Sequence, residues 1–281
     1  MSTYGVLIVS HGSRDSEWVR LVDTAVAGVP FPEGTPVSCC FLEQVEGRLI
    51  QDGVRELEAQ GVTDLLVLPL FVSSGSSHVE EIAQAFGVRF VPDSLEEEEA
   101  EAEISAAADS SYARERIPSL ALRSRVHMGQ PLEEDAILAQ IIYAKIEEQQ
   151  ADPTKEALLL VAHGSSDPRL ERRYRRMIRK LAARLQAMAG YGEAKTALLL
   201  PDSEEVRRKV DRLSSKAPDR MVRVIPVFLS EGVFTHQVIP SRLAESHGQY
   251  AYMEGALLPS PMISVWLLEQ FTQLLDKLVP G

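Results

Sequence analysis

Short apolar runs alternate with longer stretches whose apolar residues recur every three or four positions. In the first half the runs fall at residues 6–9, 37–42, 65–72 and 121–126, rich in Val and Leu. Continuous apolar runs of this length predict strands buried on both faces of a parallel sheet. Between them, Val19, Val22 and Val26 form one helical stripe. Leu49, Ile50, Val54 and Leu57 form another. The second half follows the same order, with runs at 158–161, 196–200 and 222–228 and a helix predicted over 169–188. Strand–helix alternation predicts an α/β fold: in each half a mostly parallel, Rossmann-like sheet flanked by helices and joined by right-handed crossovers.

The two halves match residue by residue. "GVLIVSHGSRD" (5–15) and "ALLLVAHGSSD" (157–167) share Leu7/Leu159, Val9/Val161, His11/His163, Gly12/Gly164, Ser13/Ser165 and Asp15/Asp167. Residues 63–82 resemble 219–239, with Pro69 on Pro226, Phe71 on Phe228 and Gly75 on Gly232. One extra residue then precedes His236 relative to His78. A looser third match pairs the stretches near 125–142 and 251–271. Three matches in one order predict an internal duplication. The predicted domains are 1–148 and 155–281, joined by the polar "EEQQADPTK" at 147–155. An acidic insertion is expected at about 93–118 in the first.

Composition narrows the function. The 281 residues carry a formal charge of −12, which argues against nucleic acid as the partner. Half of that imbalance is six glutamates in "EEEEAEAE", 96–103, read as a solvated face. No apolar run is long enough to span a membrane, and the N-terminal stretch lacks a signal-peptide pattern. Cys39 and Cys40 are adjacent, which fits a reduced compartment. A cytoplasmic protein is expected.

The predicted sheet places the histidines. Ligands of open α/β sheets bind beyond the carboxyl ends of the strands. His11 follows the first strand, and His78 lies past a Ser/Gly turn at a helix start. Ser13 or Ser16 is expected to cap the first helix, with Asp15 in its first turn. Taken singly, each His–Gly reads as a turn histidine bonded to backbone. Two histidines converging on one rim, in both halves, favour a metal or acid–base role instead. His163 and His236 are the expected second pair. Glu43 ends its strand at the same rim, either as a helix-start carboxylate or as a third group in the cleft. In the second half Pro201 falls opposite it, which favours the first half as the working site. His127 is expected on the cleft wall or surface, opposite Tyr252 in the repeat, and His247 in a loop.

The ordered set "VSHGSRD", "CFLE", "LVLPLFVSSGSSH" and "VHMGQPLEEDAI" resembles the class II tetrapyrrole chelatases, above all the CbiX-type sirohydrochlorin chelatases in their long two-domain form. The resemblance implies two tandem chelatase-like domains and insertion of Co²⁺ or Fe²⁺ into sirohydrochlorin, in siroheme or cobalamin biosynthesis. No further cofactor is implied; the divalent metal, Co²⁺, Fe²⁺ or Ni²⁺, is a substrate. It implies His11 and His78 as transient metal ligands and proton acceptors, Glu43 as an assisting acid, and His163 with His236 as a second or vestigial site. Ser13, Arg14, Ser76 and Ser77 become the expected contacts to a carboxylate-rich macrocycle. A duplicated chain can form its own cleft, so a monomer with internal pseudo-symmetry is the expected assembly.

Two other readings compete with it. Histidine phosphatases need an arginine before the strand-end histidine; Ser10 and Ala162 stand there. A non-catalytic metal or tetrapyrrole chaperone of the same fold predicts binding without turnover.

Overall fold

The computed structural model describes residues 3–93, 117–133 and 136–278. The acidic run at 96–103, within the insertion expected at about 93–118, lies outside the described residues.

The first sheet has the order β2-β1-β3-β4, all parallel, with β1 (Tyr4–Ser10), β2 (Val37–Phe41), β3 (Asp64–Pro69) and β4 (Arg125–Met128). The central strands β1 and β3 are buried on both faces, as their unbroken apolar runs require. Pro69 ends β3 earlier than the expected 72, because proline cannot donate to the ladder. Beyond it Leu70 N–H still reaches the neighbour, donating to Val9 O at 2.8 Å. The fourth strand starts at Arg125 rather than at 121. Arg123 and Ser124 give their N–H groups to the Glu58 carboxylate instead of to a strand.

One face of this sheet packs α2 (Ile50–Ala59) and α3 (Ser77–Ala85) through Val54, Leu57, Val79 and Ile82 against Leu7, Val9, Leu65 and Val67. α1 (Ser16–Ala27) starts on Asp15, whose carboxylate accepts from Glu17 N at 2.9 Å. Asp15 is therefore the cap, not Ser13 or Ser16. The Ser13 hydroxyl instead accepts from Asp15 N at 3.0 Å and tightens the turn.

The second sheet repeats the order as β6-β5-β7-β8, again all parallel. Its strands are β5 (Glu156–Gly164), β6 (Ala194–Leu200), β7 (Met221–Pro226) and β8 (Tyr250–Tyr252). Two α/β sheets of one topology are what a duplication produces. The predicted long helix is α5 (Pro168–Ala189), the fifth α-helix among the described residues, following α4 (Ala136–Glu148). Asp167 caps α5 as Asp15 caps α1, and Ser165 repeats the Ser13 turn. α6 (Glu205–Lys216) and α7 (Ile239–Ala244) complete this half, and α8 (Pro261–Leu278) ends the described chain.

Packing divides the chain differently from the repeats. One compact unit is Met1–Leu132 with Pro261–Gly281; the other is Glu133–Ser260. α8 thus belongs with the first sheet. Ser264 Oγ donates to Ala25 O at 2.6 Å, and Phe271 meets the rings of Tyr4 and Phe31. α4 belongs with the second sheet, packing on α5, and Lys145 Nζ donates to Ala256 O. Each repeat's last helix therefore lies in the unit of the other repeat's sheet.

Candidate active site

His11 emerges directly from the carboxyl end of β1. Gly12 follows with φ +97°, and a Cβ there would lie 2.1 Å from the Glu43 carbonyl oxygen. Only glycine tolerates both that backbone conformation and that approach. The turn aims Gly12 O back at the ring: His11 Nδ1 lies 2.9 Å from it. A carbonyl only accepts, so Nδ1 carries the proton and the lone pair sits on Nε2.

Glu43 is tied to the same place by backbone pairing beyond β2. Leu42 N donates to Ser10 O and Glu43 N to His11 O. Its carboxylate Oε1 lies 4.0 Å from His11 Nδ1 and accepts from Gln44 Nε2 at 2.7 Å. Gln44 takes φ +65°, a conformation uncommon outside glycine, as the chain turns there.

His78 is the second residue of α3, close to the chain leaving β3. Its ring centre lies 4.8 Å from that of His11, with the planes at 79°. Phe71 backs it at 6.1 Å. An imidazole nitrogen sits about 2.0–2.1 Å from a first-row ion such as zinc. Two rings this close are within reach of one ion. Both are partly open to solvent, at 43% for His11 and 36% for His78. The structure thus brings together His11, His78 and, at the edge, Glu43. Among the described residues these do not make a closed metal cluster of three ligands.

Behind His78 stands a residue that sequence reasoning passed over. Glu81 Oε2 lies 3.0 Å from His78 Nδ1, one helical turn along α3. The signal was present as H-x-x-E at a helix start, a spacing that puts both side chains on one face.

Ser76 caps α3 without a side-chain hydrogen bond, and Ser77 is its first residue. Arg14 is exposed in the turn after His11. Both cysteines are free; burial pushes the Cys39 thiol up to about 12, so it is no thiolate ligand. His127 does not line this rim. Its Nε2 pairs at 3.1 Å with the buried Asp64, at the amino end of β3. His247 lies in a loop as expected, its N–H donating to Asp211.

The second half keeps part of this geometry. His163 Nδ1 again lies 2.9 Å from the next carbonyl, Gly164 O. The ring that meets it is Phe234, at 4.6 Å and 81°. Phe228, the match of Phe71, stacks on Phe234 at 5.9 Å. Phe234 therefore takes the place of His78. His236 turns to Glu231 Oε2 at 3.1 Å and is 58% exposed. The cause is a π-helical turn, Phe234–Val238, where the first half has regular helix. Thr235 pins that turn, its hydroxyl exchanging hydrogen bonds with Gly232. Tyr252 OH adds a bond to Thr235 O, and burial pushes its phenol up, so it stays a donor. Strand register also corrects the match to Glu43. Ser10 pairs Phe41 and Ala162 pairs Leu198, so Leu200 rather than Pro201 falls opposite Glu43. The acid is absent from the second copy either way.

Solved structures share this fold. SirB from Bacillus subtilis with Fe³⁺ aligns over 98% of this chain and 97% of its own, at TM-score 0.64 and 20% identity. The sirohydrochlorin chelatase SirB from Bacillus subtilis subspecies spizizenii in complex with cobalt aligns over 98% and 96%, at 0.62 and 20%. A CbiX described as the terminal enzyme for siroheme biosynthesis in denitrifying bacteria aligns over 96% and 98%, at 0.57 and 18%. No curated protein matches the sequence. The CbiX family model matches residues 5–149 and again 157–274, one copy on each repeat. With both repeats matched, the chain belongs to the CbiX family.

Proposed function

We propose that this protein is a sirohydrochlorin chelatase that inserts Co²⁺ or Fe²⁺ into the macrocycle, with its working site in the first half. The observation that carries this reading is the His11–His78 pair, two rings 4.8 Å apart at the carboxyl end of a parallel sheet. Family membership and the chelatase fold support the reaction class.

The chemistry follows from the residue types. Inserting M²⁺ replaces two pyrrole N–H protons, so each turnover releases two H⁺. Neutral imidazole binds first-row divalent ions and accepts protons near neutral pH. His11 and His78 hold the ion through Nε2 while the ring nitrogens displace its water. As the ion transfers, the freed imidazoles take the pyrrole protons. Glu43, exposed beside His11, passes them to solvent. Ser13, Arg14, Ser76 and Ser77 surround the N-termini of α1 and α3, where the helix dipoles favour the macrocycle's carboxylates. The metal is a substrate, and the reaction asks for no nucleotide or redox group. The domains follow the repeats, 1–148 and 155–281, with their last helices exchanged in packing. The site works from one chain in the cytoplasm.

The test is anaerobic mixing with sirohydrochlorin and Co²⁺ or Fe²⁺, followed in the visible spectrum. Acceleration over the uncatalysed rate is expected. His11→Ala and His78→Ala should each cost about 10²-fold or more, the usual scale of lost proton transfer, and Glu43→Gln less. His163→Ala and His236→Ala should stay near the native rate. Binding of metal without acceleration would overturn the reading and leave a chaperone.

A further inference from the structure

The two site histidines are held by different groups. His11 gives its Nδ1 proton to a backbone carbonyl, Gly12 O. His78 is held by a side chain: Glu81 Oε2 at 3.0 Å from Nδ1. Glu81 is the more enclosed partner, its side chain 14% exposed against 36% for His78. Both sit on α3, at its second and fifth residues, so the helix fixes their separation.

The second half offers an internal comparison. His163 keeps its backbone carbonyl, as His11 does. Where His78 is replaced by Phe234, the carboxylate is gone as well. Three residues past Phe234 stands Gln237, and three past His236 stands Ile239. At this ring position the histidine and the acid three residues on are both present in the first half and both absent from the second, where His236 pairs instead with Glu231 on the preceding loop.

We propose that Glu81 is the positioning residue of His78. It accepts the Nδ1 proton, fixes the tautomer with the lone pair on Nε2, and sets the ring plane at which Nε2 meets the ion shared with His11. Ligating histidines use such partners to hold ring and tautomer. This rests on the chelatase reading only in taking His78 as a metal ligand.

Imidazole ¹⁵N chemical shifts of the metal-free protein, recorded where His78 is neutral, test the tautomer directly. The native protein should show His78 protonated at Nδ1. Protonation at Nε2 would overturn the proposal. Titration with Co²⁺ alone tests the consequence. Glu81→Leu should mix the tautomers of His78 and weaken Co²⁺ binding about 10–100-fold, the scale for lost partners of metal ligands. Glu81→Gln, which keeps an acceptor oxygen, should retain the tautomer and most of the affinity. Unchanged shifts and affinity in folded Glu81→Leu would overturn the proposal, as would a Gln variant as weak as Leu. If Glu81→Leu does not fold, the native shifts and the Gln variant decide. None of these readouts needs tetrapyrrole or turnover, so a protein that binds Co²⁺ but does not accelerate insertion fails the functional reading and not this one.

Discussion

Phe234 packs edge-on against His163, at 4.6 Å and 81°, in the place that His78 takes beside His11 at 4.8 Å and 79°. A phenyl ring has no lone pair to give a metal. The two halves are alike in fold and unlike at the rim, where Phe234 stands for the His78 ring. The prediction is a gain of function. Phe234→His should add a second, weaker Co²⁺ equivalent per chain, read by calorimetric titration. His236→Ala should change neither the native stoichiometry nor that of the variant. A stoichiometry unmoved by Phe234→His would mean that the second rim lacks more than a ligand.

Much of this was legible in the sequence, for physical reasons. A strand buried on both faces must be apolar throughout, so "GVLIVS" and "ALLLVA" announce themselves and the repeat with them. The His–Gly turn after such a strand places His11 at the ligand rim with no other information. The misplacement of His236 has an equally plain cause. One extra residue can be absorbed on either side of a histidine, and here the π-helical turn Phe234–Val238 contains His236, so the extra residue is not taken up before it and Phe234 falls at the rim instead. Glu81 was passed over because an acid on a helix face reads as solvated until its partner is known. The exchange of α4 and α8 was hidden for another reason. The apolar positions of α4, with Leu138 and Ile142 buried, say that the helix packs but not on which sheet.

Gly12 and Gly164 separate stability from chemistry. A Cβ at Gly12 would meet Glu43 O at 2.1 Å; at Gly164 it would meet Leu200 O at 2.2 Å. Both residues have positive φ. Each alanine substitution should cost at least about 1–3 kcal/mol from backbone strain alone, read as a lower denaturant midpoint. Only Gly12→Ala should also lower the insertion rate per folded molecule. It pushes Glu43 away and turns the carbonyl that holds His11 Nδ1. Equal losses of rate in both variants would contradict a site confined to the first half.

Ser10 marks another contrast between the copies. Its hydroxyl is fully buried and, among the described residues, has no hydrogen-bond partner. The matching residue of β5 is the fully buried Ala162. An unpaired buried hydroxyl costs about 1–3 kcal/mol. Ser10→Ala should therefore raise the melting temperature, by about 2–4 °C per kcal/mol recovered for a chain somewhat shorter than this one. No rise on thermal unfolding would show that the hydroxyl is satisfied in solution.

Glu58 gives the fold an acid-sensitive joint. Its carboxylate gathers the N–H groups of Arg123 and Ser124, the Ser124 hydroxyl and the Arg123 guanidinium, and so hooks the entry of β4 onto α2. Burial by itself would raise its pKa. The hydrogen bonds from Arg123 and Ser124 outweigh burial and hold it below the ordinary 4.5. A carboxylate with a depressed folded pKa stabilises fully above its unfolded value. That contribution fades as pH falls through the folded pKa. Urea melts of the native protein and Glu58→Gln, taken from neutral pH downwards, should differ most near neutrality. The difference should close below pH 4.5, because the protonated native side chain then loses the same charge-assisted bonds. A gap that stays constant across this range would show that Glu58 acts through packing and not through its charge.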